Sequence, residues 1–222
     1  MVVAASIAGA PASATSQRGT GTIRGSVTLT EMRGAPLATT AYGRRSVAPR
    51  PAPRGPETRH VVVFLTGTPA EGAVPAMRAR IAQRNEQFDP QVAAVTTGST
   101  IDFPNADPYF HNVFSLSSAA TFNLGRFRAG ESRSRQFTKP GIVKVFCQIH
   151  AQMNASIVVL DHPWFVIPDE DGTFTIPNVP AGERTVVAWH ERIGEKRERL
   201  RVTPGAVTRV TFTLPVLEAT SR

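Results

Sequence analysis

Apolar and polar positions alternate with a period of two over most of this chain, the period of a β-strand rather than of a helix. GTIRGSVTLT (21–30) sets Ile23, Val27 and Leu29 against polar neighbours and predicts a half-buried strand. HVVVFLTG (60–67) is a β-branched run ended by glycine, which predicts a buried strand. PAMRARIAQRNEQ (75–87) fits a short helix or an irregular strand. From Phe88 onward the pattern is β throughout. QVAAVTTGSTIDFPN (91–105) has a Thr-Gly turn between apolar segments, and HNVFSLS (111–117) follows it. After the Phe/Gly-rich run TFNLGRFRAGES (121–132), a Pro140-Gly141 turn precedes a strand from Ile142 to Cys147, and ASIVVLDH (155–162) is another buried strand.

A second β set then begins. DEDGTFTIPNVPAGERTVVAWHE (169–191) reads as an Asp-Gly turn, a strand, a Pro-rich bend and a strand into Trp189. Residues 198–203 and VTRVTFTL (207–214) complete it, with Val210, Phe212 and Leu214 on one face. Many short strands separated by turn signals predict an all-β protein of sandwich or barrel type. Neither an internal repeat nor a long amphipathic helix is visible.

Composition adds little to the fold and more to the function. GRRSVAPRPAPRGPETR (43–59) holds five arginines and four prolines, which cannot build a core and read as a flexible loop. The net charge of +8 over 222 residues favours acidic partners. The arginines are scattered or lie in Pro-rich stretches, with no basic helix and no stacking platform, so nucleic acid is not expected as a partner. No apolar stretch approaches the ~18 residues of a membrane span. MVVAASIAGAPASA (1–14) has an apolar stretch followed by small residues but lacks a basic start, so residues 1–20 read as signal-like or disordered and localisation as periplasmic or secreted.

The chain has a single cysteine, so no internal disulfide is possible. It lies in FCQIHAQM (146–153), with a histidine three residues after it and a methionine three further on. Cys147, His150 and Met153 supply a thiolate, an imidazole and a thioether, a soft set that suits copper better than magnesium or calcium. Zinc is the rival, but a structural zinc site needs four strong ligands. His111, at the start of a strand after FPNADPYF, is the candidate fourth member. Each residue alone has a plainer reading, as a small buried thiol, core filler or strand-end histidines. WHE (189–191) and His162 hint at a second site, for which packing is the default; His60 reads as structural or exposed, and Asp102, Asp107, Asp169 and Asp171 as turn residues.

FDPQVAAVTTGSTIDFPNADPYFHNVFSL and PGIVKVFCQIHAQMNASIVVL resemble the cupredoxins, the blue-copper proteins. Gly98-Ser99-Thr100-x-x-x-Phe-Pro-Asn-x-Asp is similar to that family's approach to its first histidine, and His111-Asn112 to its His-Asn pair. The C-x2-H-x2-M spacing resembles the amicyanin version. The resemblance spans residues 77–161. It implies a Greek-key sandwich with one type 1 copper, held by His111, Cys147 and His150 as strong ligands and Met153 as the long axial one. It further implies Asn112 bracing the ligand loop, Phe146 and neighbouring apolar side chains drying the sulfur, and His150 as the shallow electron port. The flanking segments, 21–67 with 165–215, resemble a carboxypeptidase regulatory-like β-sandwich, so the copper domain would be inserted in a discontinuous second sandwich. The expected function is one-electron transfer between redox proteins, with acidic partners favoured by the net charge, and not enzymatic. A structural or adhesive module, or copper storage and delivery through a non-redox site, is the alternative.

Overall fold

The computed structural model describes residues 19–32, 57–70 and 72–217. The signal-like segment 1–20 and the Arg/Pro stretch 43–59 fall outside these, apart from residues 19–20 and 57–59. The described residues form seventeen strands and one short 3-10 turn, Glu57–His60, with no α-helix. The strands are β1 (Thr20–Met32), β2 (Val61–Thr66), β3 (Arg78–Arg80), β4 (Ala82–Arg84), β5 (Gln87–Asp89), β6 (Val92–Thr96), β7 (Thr100–Pro104), β8 (His111–Ser117) and β9 (Ala120–Phe127). They continue with β10 (Ser132–Gln136), β11 (Gly141–Phe146), β12 (Asn154–Leu160), β13 (Phe165–Val166), β14 (Thr173–Pro180), β15 (Gly182–His190), β16 (Gly194–Val202) and β17 (Val207–Leu217). Among the described residues no helix is long and apolar enough to cross a membrane.

The protein is all-β, with two sandwiches. One packs the sheet β6-β12-β11-β8-β9 against β10-β7-β3. Its core holds Ile101, Phe103, Val113, Phe127, Phe137 and Ile157. The other packs β14-β1-β17 against β13-β2-β15-β16 around Ile23, Leu65, Ile176, Phe212 and Leu214. Its strands come from both ends of the described chain, and β1 runs parallel to β17 from Thr22 opposite Val207 to Met32 opposite Leu217.

The continuous apolar runs have a specific cause. In β2, Val61, Val63 and Leu65 point into one sandwich core, while Val62 faces a third cluster with Val187 and Trp189 of β15 and Val92, Val158 and Leu160 of β6 and β12. In β12, Ala155, Ile157 and Val159 enter the other core. These strands are apolar on both faces because both faces are buried. β1 instead alternates, with Ile23 and Val27 buried and their neighbours wetter.

The ambiguous segment 75–87 resolves into two short strands, β3 and β4, and a tight turn at Asn85-Glu86, both at positive φ (52° and 55°). That is the geometry of a two-residue hairpin turn. The strand expected to include Cys147 stops one residue earlier, at Phe146. On strands β9 and β10, exposed arginines lie over aromatic rings. Arg133 stands 5.2 Å from the Phe127 ring centre and Arg135 5.6 Å from that of Phe122.

Gly25 sits mid-strand in β1, opposite Phe174 and Val210. A Cβ there would come within 2.2 Å of the Val210 carbonyl oxygen and 2.5 Å of the Phe174 ring. Gly25→Ala is expected to destabilise the fold by about 1–3 kcal/mol, the cost of overpacking, read as a lower denaturant midpoint.

His162 is buried, donating Nε2–H to the Leu65 carbonyl (2.8 Å) and accepting the Trp164 amide at Nδ1 (3.2 Å). Burial holds its pKa below the ordinary 6.5. The neutral ring therefore favours the folded state above that value, and the unfolded chain takes up the proton first as pH falls below it. The stability gap between the parent and His162→Gln should shrink between about pH 7.5 and 5.5, by up to about 1.4 kcal/mol per pH unit, measured by denaturant titration at each pH.

Candidate metal centre

Sheet register brings the distant histidine to the cysteine. β8 lies antiparallel beside β11, with Phe114 opposite Phe146. The position three residues before Phe114, His111, therefore lies beside the segment that follows Phe146. That segment, 147–153, closes the β11–β12 hairpin, in which Phe146 pairs with Asn154. It is held by its own backbone, with the Cys147 amide donating to the Met153 carbonyl (3.3 Å) and the Met153 amide to the His150 carbonyl (3.0 Å).

His111, Cys147 and His150 converge, each offering a ligand atom within 4.8 Å of the others. His111 Nδ1 lies 3.1 Å from His150 Nδ1 and 3.9 Å from Cys147 Sγ. His111 is 0 % exposed and Cys147 4 %, while His150 is half-buried. Met153 is buried in the same apolar cluster as Cys147. Val143, Val145 and Cys147 share the buried face of the strand and its continuation.

Strand alternation puts Phe146 on the other face. It is 37 % exposed and lies against Phe114, ring centres 5.9 Å apart, so of the side chains expected to dry the sulfur the apolar neighbours that share a buried cluster with Cys147, such as Val113, Val145 and Met153, do so and Phe146 does not. Asn112 also departs from expectation. Its amide donates to Asn123 Oδ1 on β9 (2.9 Å), not to the 147–153 loop, and its Oδ1 is buried without a partner among the described residues. The β8–β9 register shifts between Asn112 and Phe114, which turns this side chain toward the neighbouring strand.

Asp107, expected to be a turn residue, is part of the centre. Its Oδ2 accepts Nε2–H of His111 at 2.8 Å, and it is 3 % exposed. Burial pushes its carboxyl up, but the Glu86 amide, His111 and the Asn85 amide together outweigh burial and hold it below the ordinary carboxylate range. With the proton on Nε2, the Nδ1 lone pair of His111 is left facing Cys147 and His150. The same carboxylate accepts the amides of Asn85 (2.5 Å) and Glu86 (2.9 Å), tying the β4–β5 turn to the centre. Asn105 shapes the loop between, donating to the carbonyls of Tyr109 (2.8 Å) and Phe127 (3.1 Å). The Tyr109 ring lies edge-on to His111 at 5.3 Å and 5.6 Å from His150, and its hydroxyl donates to Glu86 (3.2 Å). The sequence signal for Asp107 was an acid four residues ahead of a strand-opening histidine, a spacing too common to single out.

Two imidazole nitrogens and a buried thiol, with the buried Met153 in the same apolar cluster as the thiol, make a soft-to-borderline donor set. Asp107→Asn, which keeps an acceptor for His111 but removes the charge, is expected to weaken Cu(II) affinity about 10- to 100-fold, measured by competition with a chelator on protein whose circular dichroism is unchanged.

The chain matches no protein-family profile. It matches no curated protein either. Solved structures similar to it include a purple cupredoxin from Nitrosopumilus maritimus (20% identity, 36% of this chain and 98% of that one, TM-score 0.34). A copper-containing nitrite reductase from Thermus scotoductus is 25% identical over 42% of this chain, with TM-score 0.35, and only 24% of that enzyme's length is spanned. A Cu(I) form of an amicyanin mutant is 19% identical over 44% of this chain and 97% of its own, with TM-score 0.35.

Proposed function

We propose that the protein is a type 1 copper electron-transfer protein of the cupredoxin kind, passing one electron between periplasmic or extracellular redox partners. The observation that carries this reading is the convergence of His111, Cys147 and His150 around the chain's sole thiol. His111, Cys147 and His150 would be the strong ligands and Met153 the weak axial one, the donor set of blue-copper sites. Zinc fits less well, because a closed structural site takes four strong ligands and three converge here. Bound copper would supply a one-electron couple between Cu(I) and Cu(II).

The chain's own residues do the rest. β8 and the β11–β12 hairpin fix His111 and Cys147 from two strands, so neither need move between oxidation states. Asp107 holds the His111 tautomer. The apolar packing about Cys147 keeps water from the sulfur. His150 is the one wetter ligand, and Tyr109, Phe110 and Ile149, 39 %, 56 % and 40 % exposed, form an apolar rim beside it where a redox partner would dock. The flanking strands, 21–67 with 165–215, would act as a carboxypeptidase regulatory-like mount for the 77–161 copper domain. No substrate position is left open in this reading, which is why electron carriage is favoured over catalysis.

Protein loaded with Cu(II) should show an intense thiolate-to-copper band in the visible and a reversible voltammetric wave. Cys147→Ser should lose the band entirely, and Met153→Leu should keep it with a shifted potential. Folded, copper-loaded protein without such a band would overturn the redox reading. A large copper-induced rise in melting temperature without a reversible wave would favour a structural role.

A further inference from the structure

A second group of metal-ligating side chains stands apart from the first. Glu57, His60 and His190 also offer ligand atoms within 4.8 Å of one another. Glu57 and His60 are the ends of the 3-10 turn that enters β2, and His190 is the last residue of β15, opposite Val61. His60 is 4 % exposed and His190 0 %. His190 Nε2 lies 3.0 Å from Glu57 Oε1, and His60 Nδ1 lies 3.8 Å from the same oxygen. On its other side, His60 Nδ1 is 3.9 Å from Glu191 Oε1. Glu191 is in turn held by Gln91 Nε2 (2.8 Å) and Ser156 Oγ (3.2 Å), which belong to the copper-bearing sandwich.

The distances around His60 decide the matter. Among the described residues His60 Nδ1 stands between two carboxylates and at hydrogen-bond length from neither, so neither claims it. One ion with bonds of about 2.0–2.2 Å sets neighbouring ligand atoms about 3–4 Å apart, and the 3.0 and 3.8 Å from Glu57 to His190 and His60 fall in that span. The donors are imidazole nitrogens and carboxylate oxygens with no sulfur, which favours a divalent borderline ion over Cu(I). We propose that Glu57, His60 and His190 form a second metal site for a divalent cation such as Zn(II), with solvent completing the coordination. The ion would join the turn before β2 to the end of β15.

Two contacts of Arg192 must yield. Arg192 Nη2 contacts Glu57 Oε1, and its exposed side chain can swing into solvent. The Arg192 amide also donates to His190 Nδ1 (3.2 Å), so the His190 proton sits on Nε2, pointing at Glu57. Ligation through Nε2 moves that proton to Nδ1 and displaces the amide.

The test is read from metal binding and not from electron transfer. Copper-loaded protein is titrated with Zn(II) by calorimetry and with Co(II) by absorption, and Cys147→Ser is titrated in parallel. One further equivalent should bind in both proteins, and Co(II) in Cys147→Ser should give ligand-field bands without thiolate charge transfer. His60→Ala and Glu57→Gln should each weaken that equivalent at least about 10-fold while leaving the copper band unchanged, which also shows that the variants fold. Zn(II) should raise the melting temperature of the parent but not of the variants. No second equivalent, or one that both variants retain at full affinity, overturns the site.

Discussion

Strand β12 is packed on both faces, and much of the molecule follows from that constraint. One face gives Ala155, Ile157 and Val159 to the core beneath the metal centre. The other gives Val158 and Leu160 to the cluster shared with β2, β6 and β15. Its N-terminal end closes the hairpin loop that carries Cys147, His150 and Met153, and its Ser156 reaches Glu191. A one-residue slip would exchange its two faces, carrying Ser156 into the apolar core that holds Ala155, Ile157 and Val159. The loop it anchors is thus held in a fixed position relative to β8, which carries His111.

Most strands were legible because period-two alternation and glycine turns are local signals. HNVFSLS coincides with β8, and the Asp-Gly turn is seated at Gly172, whose φ of 82° and 2.2 Å approach to the Val27 carbonyl admit no side chain. The proximity of His111 to Cys147 was legible for a different reason. A strand-opening histidine and a cysteine at the end of another strand can meet at one pole of a sandwich, and the antiparallel pairing of β8 with β11 brings them there. What stayed hidden depends on non-local geometry. Asp107 could not be told from a turn aspartate until the β4–β5 turn was placed against it. Asn112 and Phe146 were assigned by resemblance, and a register shift and strand alternation sent their side chains elsewhere. The segment 75–87 has too few apolar residues for either period to dominate.

The two histidine groups invite comparison because their ligand atoms are equally close while their surroundings differ. Around His111 the environment is apolar and the one nearby acid is bonded to the far side of the ring, which leaves the near side for a soft partner. Around His60 the neighbours are carboxylates, an arginine and, through Ser156, a lysine. The first environment suits a group whose charge changes by one; the second suits an ion of fixed charge.

The arginines that lie over Phe127 and Phe122 show that the charge of +8 is not a single property of this surface. Arg133 and Arg135 spread planar guanidinium groups across aromatic faces near an open sheet edge, so they serve as roof tiles as well as cations. Lysine at these positions would preserve the electrostatic field but not the cover, because an ammonium has no flat face to lay on a ring. Long-range attraction and local waterproofing are therefore fused in the same side chains, and evolution cannot adjust one here without disturbing the other.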